Sequence, residues 1–183
     1  MASSVALVSV ITSGVVAVAV PLVTARLQRS QRSDDRRAER FDELRSVVDA
    51  ASVALAHAES ALRALEAAIE RESRDASTEA AAAQTDVAIG VGEDAIRGVE
   101  EASHRAAVRL GWTTEPCQLY GAALKDLGVE FVTLVDVRDG GPSADDLEAW
   151  AEVVHSLQEI HARYTEHRVA FYAAASQLVG PDA

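Results

Sequence analysis

The chain has 183 residues, of which 49% are hydrophobic and only 4% aromatic, and its net charge is −12. This length leaves room for one membrane span and one domain of ordinary size, and it excludes two independent soluble domains. The acidic balance excludes non-specific binding of nucleic acid, because such binding depends on lysine and arginine side chains that neutralise phosphates. Abundant alanine and valine favour closely packed helices over a sheet core.

The N-terminal segment predicts a membrane anchor. Val5–Ala25 is a run of 21 residues without a charged side chain, and about 20 apolar residues suffice to cross the hydrocarbon core of a bilayer as a helix. Residues 26–40 follow with six arginines against three acids, which leaves −15 for residues 41–183. The arginines of this basic collar are Arg26, Arg29, Arg32, Arg36, Arg37 and Arg40.

The position of the collar predicts the topology. Arginines beside a span are retained in the cytoplasm, so we expect a single pass through the plasma (inner) membrane, with the N-terminus outside and the following domain cytoplasmic. A cleaved signal peptide ending near Ala25 and a buried soluble helix are the alternatives, but residues 1–4 lack the basic residues that precede a signal peptide. The collar also suits attraction to anionic lipid headgroups.

Small side chains follow one face of the predicted span. Ser9, Ser13 and Ala17 are spaced four residues apart, and such a row lets two membrane helices approach closely. The pattern predicts self-association through this face, and therefore a homo-oligomer, as one alternative.

The soluble part begins with a long helical pattern. Nine apolar positions follow a 3-4 spacing over four heptads, which favours near-parallel helix packing of the coiled-coil kind. They are Phe41, Leu44, Val48, Ala51, Leu55, Ala58, Leu62, Leu65 and Ile69, and we call them the core seam. A second apolar row widens this surface and indicates a bundle. Its members are Val47, Ala50, Ala54, Ala61, Ala64 and Ala68.

Residues that typically begin or end helices divide the rest of the chain into three more helices. A break between helices is expected near residues 73–78. The second helix should end near Leu110, with Gly111 after it, and the third helix should begin at Glu115-Pro116. Asp139–Pro142 predicts a turn. Ser143 should cap a fourth helix, with Asp145 and Asp146 in its first turn. Gly180-Pro181 should end this fourth helix. Short connections predict an all-α fold, with a transmembrane helix (residues 1–25), the collar (26–40) and an antiparallel four-helix bundle (41–183).

Two further patterns bear on this fold. Opposite charges spaced four residues apart support helices in three segments. The pairs are Glu59/Arg63, Glu70/Arg74, Glu93/Arg97, Glu101/Arg105 and Glu159/Arg163. Residues 129–137 are rich in β-branched side chains and could form a strand, but only residues 87–89 could partner it, so we predict a helix there.

The sequence offers few candidates for catalysis or metal binding. Gly90-Val-Gly92 imitates a dinucleotide-binding turn, but no βαβ unit surrounds it, so a flexible or kinked place in an alanine-rich helix is the better interpretation. Glu101/His104 and Glu152/His155 imitate the motifs of di-iron bundles, but they lie off the apolar faces of their helices.

The remaining reactive side chains lack partners in sequence. His155, His161 and His167 read as surface or boundary histidines, and Cys117, the single cysteine, lacks an activating signature. We therefore predict no enzyme activity, no cofactor and no metal.

The plan resembles the short, uncharacterised single-pass helical membrane proteins of actinomycetes, in architecture and composition across the whole chain. The resemblance involves no specific motif and implies no function. By elimination, the sequence predicts a membrane-tethered interaction or scaffold module with the lipid bilayer and an unknown protein as partners. The alternatives are a helical-bundle sensor that binds a small ligand or metal between its helices, and a self-assembling structural protein. A buried polar pocket would favour the sensor, and a contiguous exposed apolar stripe the interaction module.

The topology can be tested with a reporter fused after Ala183. The reporter should be cytoplasmic, because the arginine collar follows the apolar run rather than preceding it. Replacing the five arginines from Arg26 to Arg37 with glutamate should weaken this orientation. Reporter activity outside the cytoplasm would contradict the topology, and an unchanged orientation in the glutamate variant would show that charge does not control it.

Overall fold

The structure is a computed structural model that describes residues 2–74, 79–141 and 146–179, with side chains from residue 31 onward except residues 33 and 34. It is all helical over these ranges, with no strand. The helices are α1 (Ala2–Arg74), α2 (Glu79–Leu110), α3 (Glu115–Gly140) and α4 (Leu147–Val179). The prediction of an all-α, four-helix fold is confirmed. Residues 129–137 lie within α3 and are helical, as predicted.

The chain divides into two compact units, Met1–Glu43 and Leu44–Ala183. In the first unit, the described side chains are exposed except Phe41, which is half-buried. Among the helices whose side chains are described, none is long and apolar enough to cross a membrane. The described side chains do not include the predicted span Val5–Ala25, its small-residue row Ser9, Ser13 and Ala17, or Arg26 and Arg29.

Contacts within the second unit fix the helix directions. Tyr120 near the start of α3 donates to the carbonyls of Ala51 and Val99, at 3.3 and 3.4 Å. Near the end of α3, Arg138 pairs with Glu72 at 3.2 Å and with Asp86 at 2.7 Å. Helix α3 therefore runs parallel to α1 and antiparallel to α2.

The same reasoning places α4. Asp126 of α3 contacts His167, while Glu130, one turn later, contacts His161. Since the order is reversed, α4 runs antiparallel to α3. The four helices of this unit alternate in direction, as short connections between neighbours require.

All four helices contribute to one core. From α1 the buried residues include seven of the nine predicted core-seam positions, together with two alanines of the second apolar row. Leu44 is half-buried. The buried α1 side chains are Val48, Ala51, Leu55, Ala58, Ala61, Leu62, Leu65, Ala68 and Ile69. The alanines let neighbouring backbones approach closely, so few aromatic side chains are needed to fill the core.

Gly92 is a tight contact point between α2 and α3. A Cβ atom placed on Gly92 would lie 2.8 Å from Cε2 of Phe131, which is closer than carbon atoms normally approach. The structure adds a packing role to the predicted flexible or kinked place, because Gly92 is buried within α2. The glycine makes room for the Phe131 ring.

The described helix ends lie near the predicted boundary residues, with one correction. Gly111, after α2, has a φ of +97°, the left-handed conformation for which glycine is suited. Pro116 lies in the first turn of α3. At α4, the Asp146 carboxylate accepts a hydrogen bond from the Ala149 amide at 3.0 Å, so Asp146 caps the helix instead of lying in its first turn. Ser143, Asp145 and Gly180-Pro181 lie outside the described residues.

Two predicted ion pairs are replaced by others. Arg97 pairs with Asp94 rather than Glu93, and Glu159 pairs with His155 while Arg163 turns towards Asp126 of α3. The other predicted pairs form: Glu59/Arg63, Glu70/Arg74 and Glu101/Arg105.

The buried face of α4 is shorter than its apolar spacing indicates. Leu147 and Val154 share the heptad spacing of α4 but are 79% and 48% exposed. The buried residues of α4 are Ile160, Tyr164, Phe171 and Ala175. The inner face thus begins a full three turns into the helix.

The Gly92 contact predicts opposite effects for two glycine substitutions in α2. Gly92→Ala should lower the melting temperature, because overpacking of this kind costs about 1–3 kcal/mol. Gly98→Ala should raise it, since a Cβ at Gly98 meets nothing within 4 Å and alanine is favoured over glycine in a helix by about 1 kcal/mol. The measurement is thermal unfolding of both variants and wild type under one condition. Equal shifts would contradict the close approach of Phe131.

Candidate ligand-binding cleft

Helix α3 presents two carboxylates to α4 from within the bundle. Asp126 and Glu130 are one helical turn apart, and their side chains are only 10% and 14% exposed. Removing a carboxylate from water is unfavourable unless it gains hydrogen bonds or opposite charges. The partners of these two groups therefore indicate what each one does.

Asp126 is well satisfied. Its Oδ2 lies 2.7 Å from Nδ1 of His167, and its Oδ1 lies 3.6 Å from Nε of Arg163. Both partners come from α4, so Asp126 acts as a polar tether between the helices. His167, predicted to be a surface or boundary histidine, has a side chain that is 33% exposed beside this carboxylate.

A second polar group ties α1 to α4. The Glu59 side chain is 13% exposed and pairs with Arg63 on its own helix and with Arg168 of α4. The Tyr164 hydroxyl lies 3.5 Å from Oε2 of Glu59 and 3.4 Å from the carbonyl of Leu55. Burial raises the pKa of Tyr164 well above its usual value, and the negative charge of Glu59 adds to this effect. The phenol therefore stays a neutral donor.

Glu130 differs from both because it lacks an adequate partner. Its Oε1 lies 3.7 Å from Nδ1 of His161, which is too long for a good hydrogen bond. Its Oε2 is covered and has no hydrogen-bond partner in the structure. Burial raises the pKa of Glu130, the charge of His161 lowers it, and the charges of Glu66 and Glu59 raise it further. This carboxyl group is thus influenced by the imidazole of His161 on one side and by two carboxylates of α1 on the other.

An open cleft of about 510 Å³ lies beside Glu130, between α1, α3 and α4. This volume falls within the range of small-molecule sites, roughly 300–1,000 Å³. The walls combine apolar side chains with a few polar ones. The lining residues are Arg63, Glu66, Glu130, Leu134, Val154, Leu157, Gln158, His161 and Ala162. Leu134 is buried, so it and Glu130 form the floor, while α1 and α4 form the sides.

The cleft explains why Val154 is exposed. Val154 faces the open groove, beside the half-buried Leu157, which also packs against the core. His161 also lies here, with its side chain 41% exposed, so the prediction of a boundary histidine fits its position. Its partner is Glu130 of α3, which sequence reasoning did not assign.

The sequence motifs for metal binding are not assembled around the cleft. His104 packs edge-on against Trp112, with ring centroids 5.6 Å apart, and His155 pairs with Glu159 on the surface of α4. Over the described ranges, no three His, Cys, Asp or Glu side chains are grouped to hold a metal ion. Cys117 is half-buried near the start of α3. The described members of the basic collar, Arg32, Arg36, Arg37 and Arg40, are exposed.

Comparison of the chain with protein-family models, with curated proteins and with solved structures yields no match.

The unpaired Glu130 carboxyl predicts a pH-dependent stability difference. A raised pKa means that the folded protein holds this proton more tightly than the unfolded chain does, so the contribution is favourable at low pH and is lost as pH rises. Glu130→Gln should therefore be more stable than wild type at pH 7, because no charge remains to be desolvated. The difference should shrink as the pH falls through the raised pKa of Glu130, and little should remain below the ordinary glutamate pKa of about 4.3.

Chemical denaturation at several pH values measures this difference. Glu152→Gln is the matched control, because Glu152 is exposed on α4 and outside the cleft. The groups facing Glu130 are Glu59 and Glu66 on α1 and His161 on α4, and they are unchanged in both variants. A Glu130→Gln protein that is less stable than wild type at neutral pH would show that the carboxylate is stabilising and adequately paired.

Proposed function

We propose that this chain is a membrane-tethered binding protein without enzyme activity, whose helical bundle takes a small ligand into the cleft between α1, α3 and α4. One observation carries the proposal. An open cleft of about 510 Å³ contains a largely buried carboxyl group whose Oε2 has no partner. An unsatisfied buried polar atom weakens a fold by about 1–3 kcal/mol, and such groups occur preferentially at functional sites.

The tether rests on the sequence. The uncharged run Val5–Ala25 has the length of a span, and the arginine collar after it favours a cytoplasmic bundle at the plasma membrane. The row Ser9, Ser13 and Ala17 suits pairing of two such spans. A bundle fixed at the membrane by its first helix could report ligand binding to a neighbouring copy or to another membrane protein.

The composition of the cleft supports binding rather than turnover. Its polar members are Arg63, Glu66, Glu130, Gln158 and His161. None is a hydroxyl or thiol nucleophile, and Arg63 is already engaged with Glu59. The Glu130 carboxyl and the half-exposed His161, 3.7 Å apart, suit recognition of a polar group better than the paired roles that acid–base catalysis requires.

A scaffold role through a protein partner is the second candidate. Val108 and Trp112 are 75% and 62% exposed at the end of α2, and the His104 ring packs against Trp112. Large exposed apolar side chains in one place are typical of contact surfaces, and tryptophan is enriched in binding hot spots. This patch is small, whereas the cleft offers a volume of about 510 Å³, so we place the ligand-binding role first.

Filling the cleft should abolish function without unfolding the protein. Ala162 is an exposed residue that lines the cleft, and in Ala162→Phe the ring can occupy the groove without displacing the core. The variant should fail to complement a deletion strain, with normal abundance and an unchanged helical spectrum. Ala173→Phe is the matched control, since Ala173 is exposed on the same helix outside the cleft, and it should complement fully.

Two outcomes would contradict the proposal. Full complementation by Ala162→Phe would show that the cleft is dispensable. Loss of complementation in Trp112→Ala with Ala162→Phe unaffected would favour the scaffold role instead.

A further inference from the structure

The charges around the cleft define the kind of ligand it suits. Glu66 and Glu130 both line the cleft, and Glu59 lies close enough to Glu130 to influence its ionisation. Against these acids, Arg63 and Arg168 are each committed to Glu59. These five charged groups together carry a formal charge of −1 while His161 is neutral.

Hydrogen bonding points in the same direction. The Oε2 of Glu130 is an acceptor without a donor, and His161 approaches the other oxygen only to 3.7 Å. An ionised carboxylate accepts hydrogen bonds and donates none. A ligand that satisfies this group must bring N–H or O–H donors, and a positively charged donor gains most in a partly desolvated place.

The rest of the cleft is apolar. Leu134 forms the floor beside Glu130, and Val154 and Leu157 form part of the α4 wall. Val154 is 48% exposed, so a ligand could cover apolar surface that is now in water. A compact inorganic cation would leave this surface uncovered, and the described residues offer no three-ligand metal group.

Resting on the proposed function, we infer that the ligand is an organic ammonium compound with an aliphatic body. Its ammonium group binds the Glu130 carboxylate, with Glu66 adding negative charge at the rim, and its aliphatic part covers Leu134, Val154 and Leu157. Because Oε2 is covered in the ligand-free structure, binding requires rotation of the Glu130 side chain towards the groove. Such a rotation exchanges a poorly paired carboxyl for a charge-assisted hydrogen bond.

Three probes of equal length test this inference: hexylammonium, 1-hexanol and hexanoate. Each is titrated into the full chain in nanodiscs of zwitterionic lipid, and the signal is the chemical shift of the Gln158 side-chain amide, which lines the cleft. Hexylammonium should bind at least about tenfold more tightly than hexanol, as expected for one charge-assisted hydrogen bond. Hexanoate should bind most weakly, because it would meet Glu130 and Glu66.

Three variants distinguish binding of a probe in the cleft from its partition into the lipid. Glu130→Gln keeps the size of the side chain and should weaken hexylammonium binding about tenfold, with little change for hexanol. Glu152→Gln, the exposed control on α4, should change neither. Ala162→Phe should block all three probes, so any shift that persists in it comes from partition into lipid.

The outcomes distinguish this inference from the proposed function. Equal or tighter binding of hexanoate, or an unchanged hexylammonium affinity in Glu130→Gln, would overturn the ammonium assignment. If that occurs while Ala162→Phe still fails to complement, the cleft remains the functional site with a ligand of another class. If Ala162→Phe complements fully while hexylammonium binds as expected, the ligand chemistry stands and the proposed function does not.

Discussion

Two buried tyrosines hold the bundle together where alanine alone could not. The hydroxyl of Tyr120 reaches the carbonyls of Ala51 and Val99, and that of Tyr164 reaches the carbonyl of Leu55. A buried hydroxyl must find a partner, so each ring can adopt few positions. These long side chains span gaps that small residues leave, and Phe171 packs edge-on against Tyr120 at 5.1 Å between centroids. The register of α3 and α4 against α1 depends on these contacts.

Much of this fold can be predicted from local patterns. The core seam of α1 has strict 3-4 spacing, and Gly111 and Pro116 mark a helix end and a helix start that follow from backbone geometry alone. The buried face of α4 is harder to predict, because Leu147 and Val154 fit the apolar spacing yet are exposed. Spacing shows which residues share a face, but only the neighbouring helices decide whether that face is covered.

The cleft was missed for a related reason. Glu130 occupies the same spacing as Tyr120, Leu127 and Leu134, which are buried, and a charged residue at such a position is the available signal of a polar interior. The sequence around His161 and His167 shows only the carboxylates on their own helix. Their partners are Glu130 and Asp126 of α3, and pairing across helices depends on a register that one sequence does not reveal. The close approach of Gly92 to Phe131 depends on the same kind of information.

The first three turns of α4 give the cleft an adjustable side. Over residues 147–159 no described side chain is fully buried, whereas residues from Ile160 onward enter the core. Segments with few buried contacts open at a low free-energy cost compared with the global unfolding of a domain. Val154, Leu157 and Gln158 belong to this lightly held segment. The α4 side of the groove is therefore the least firmly held, whereas Leu134 on the floor is buried in the core.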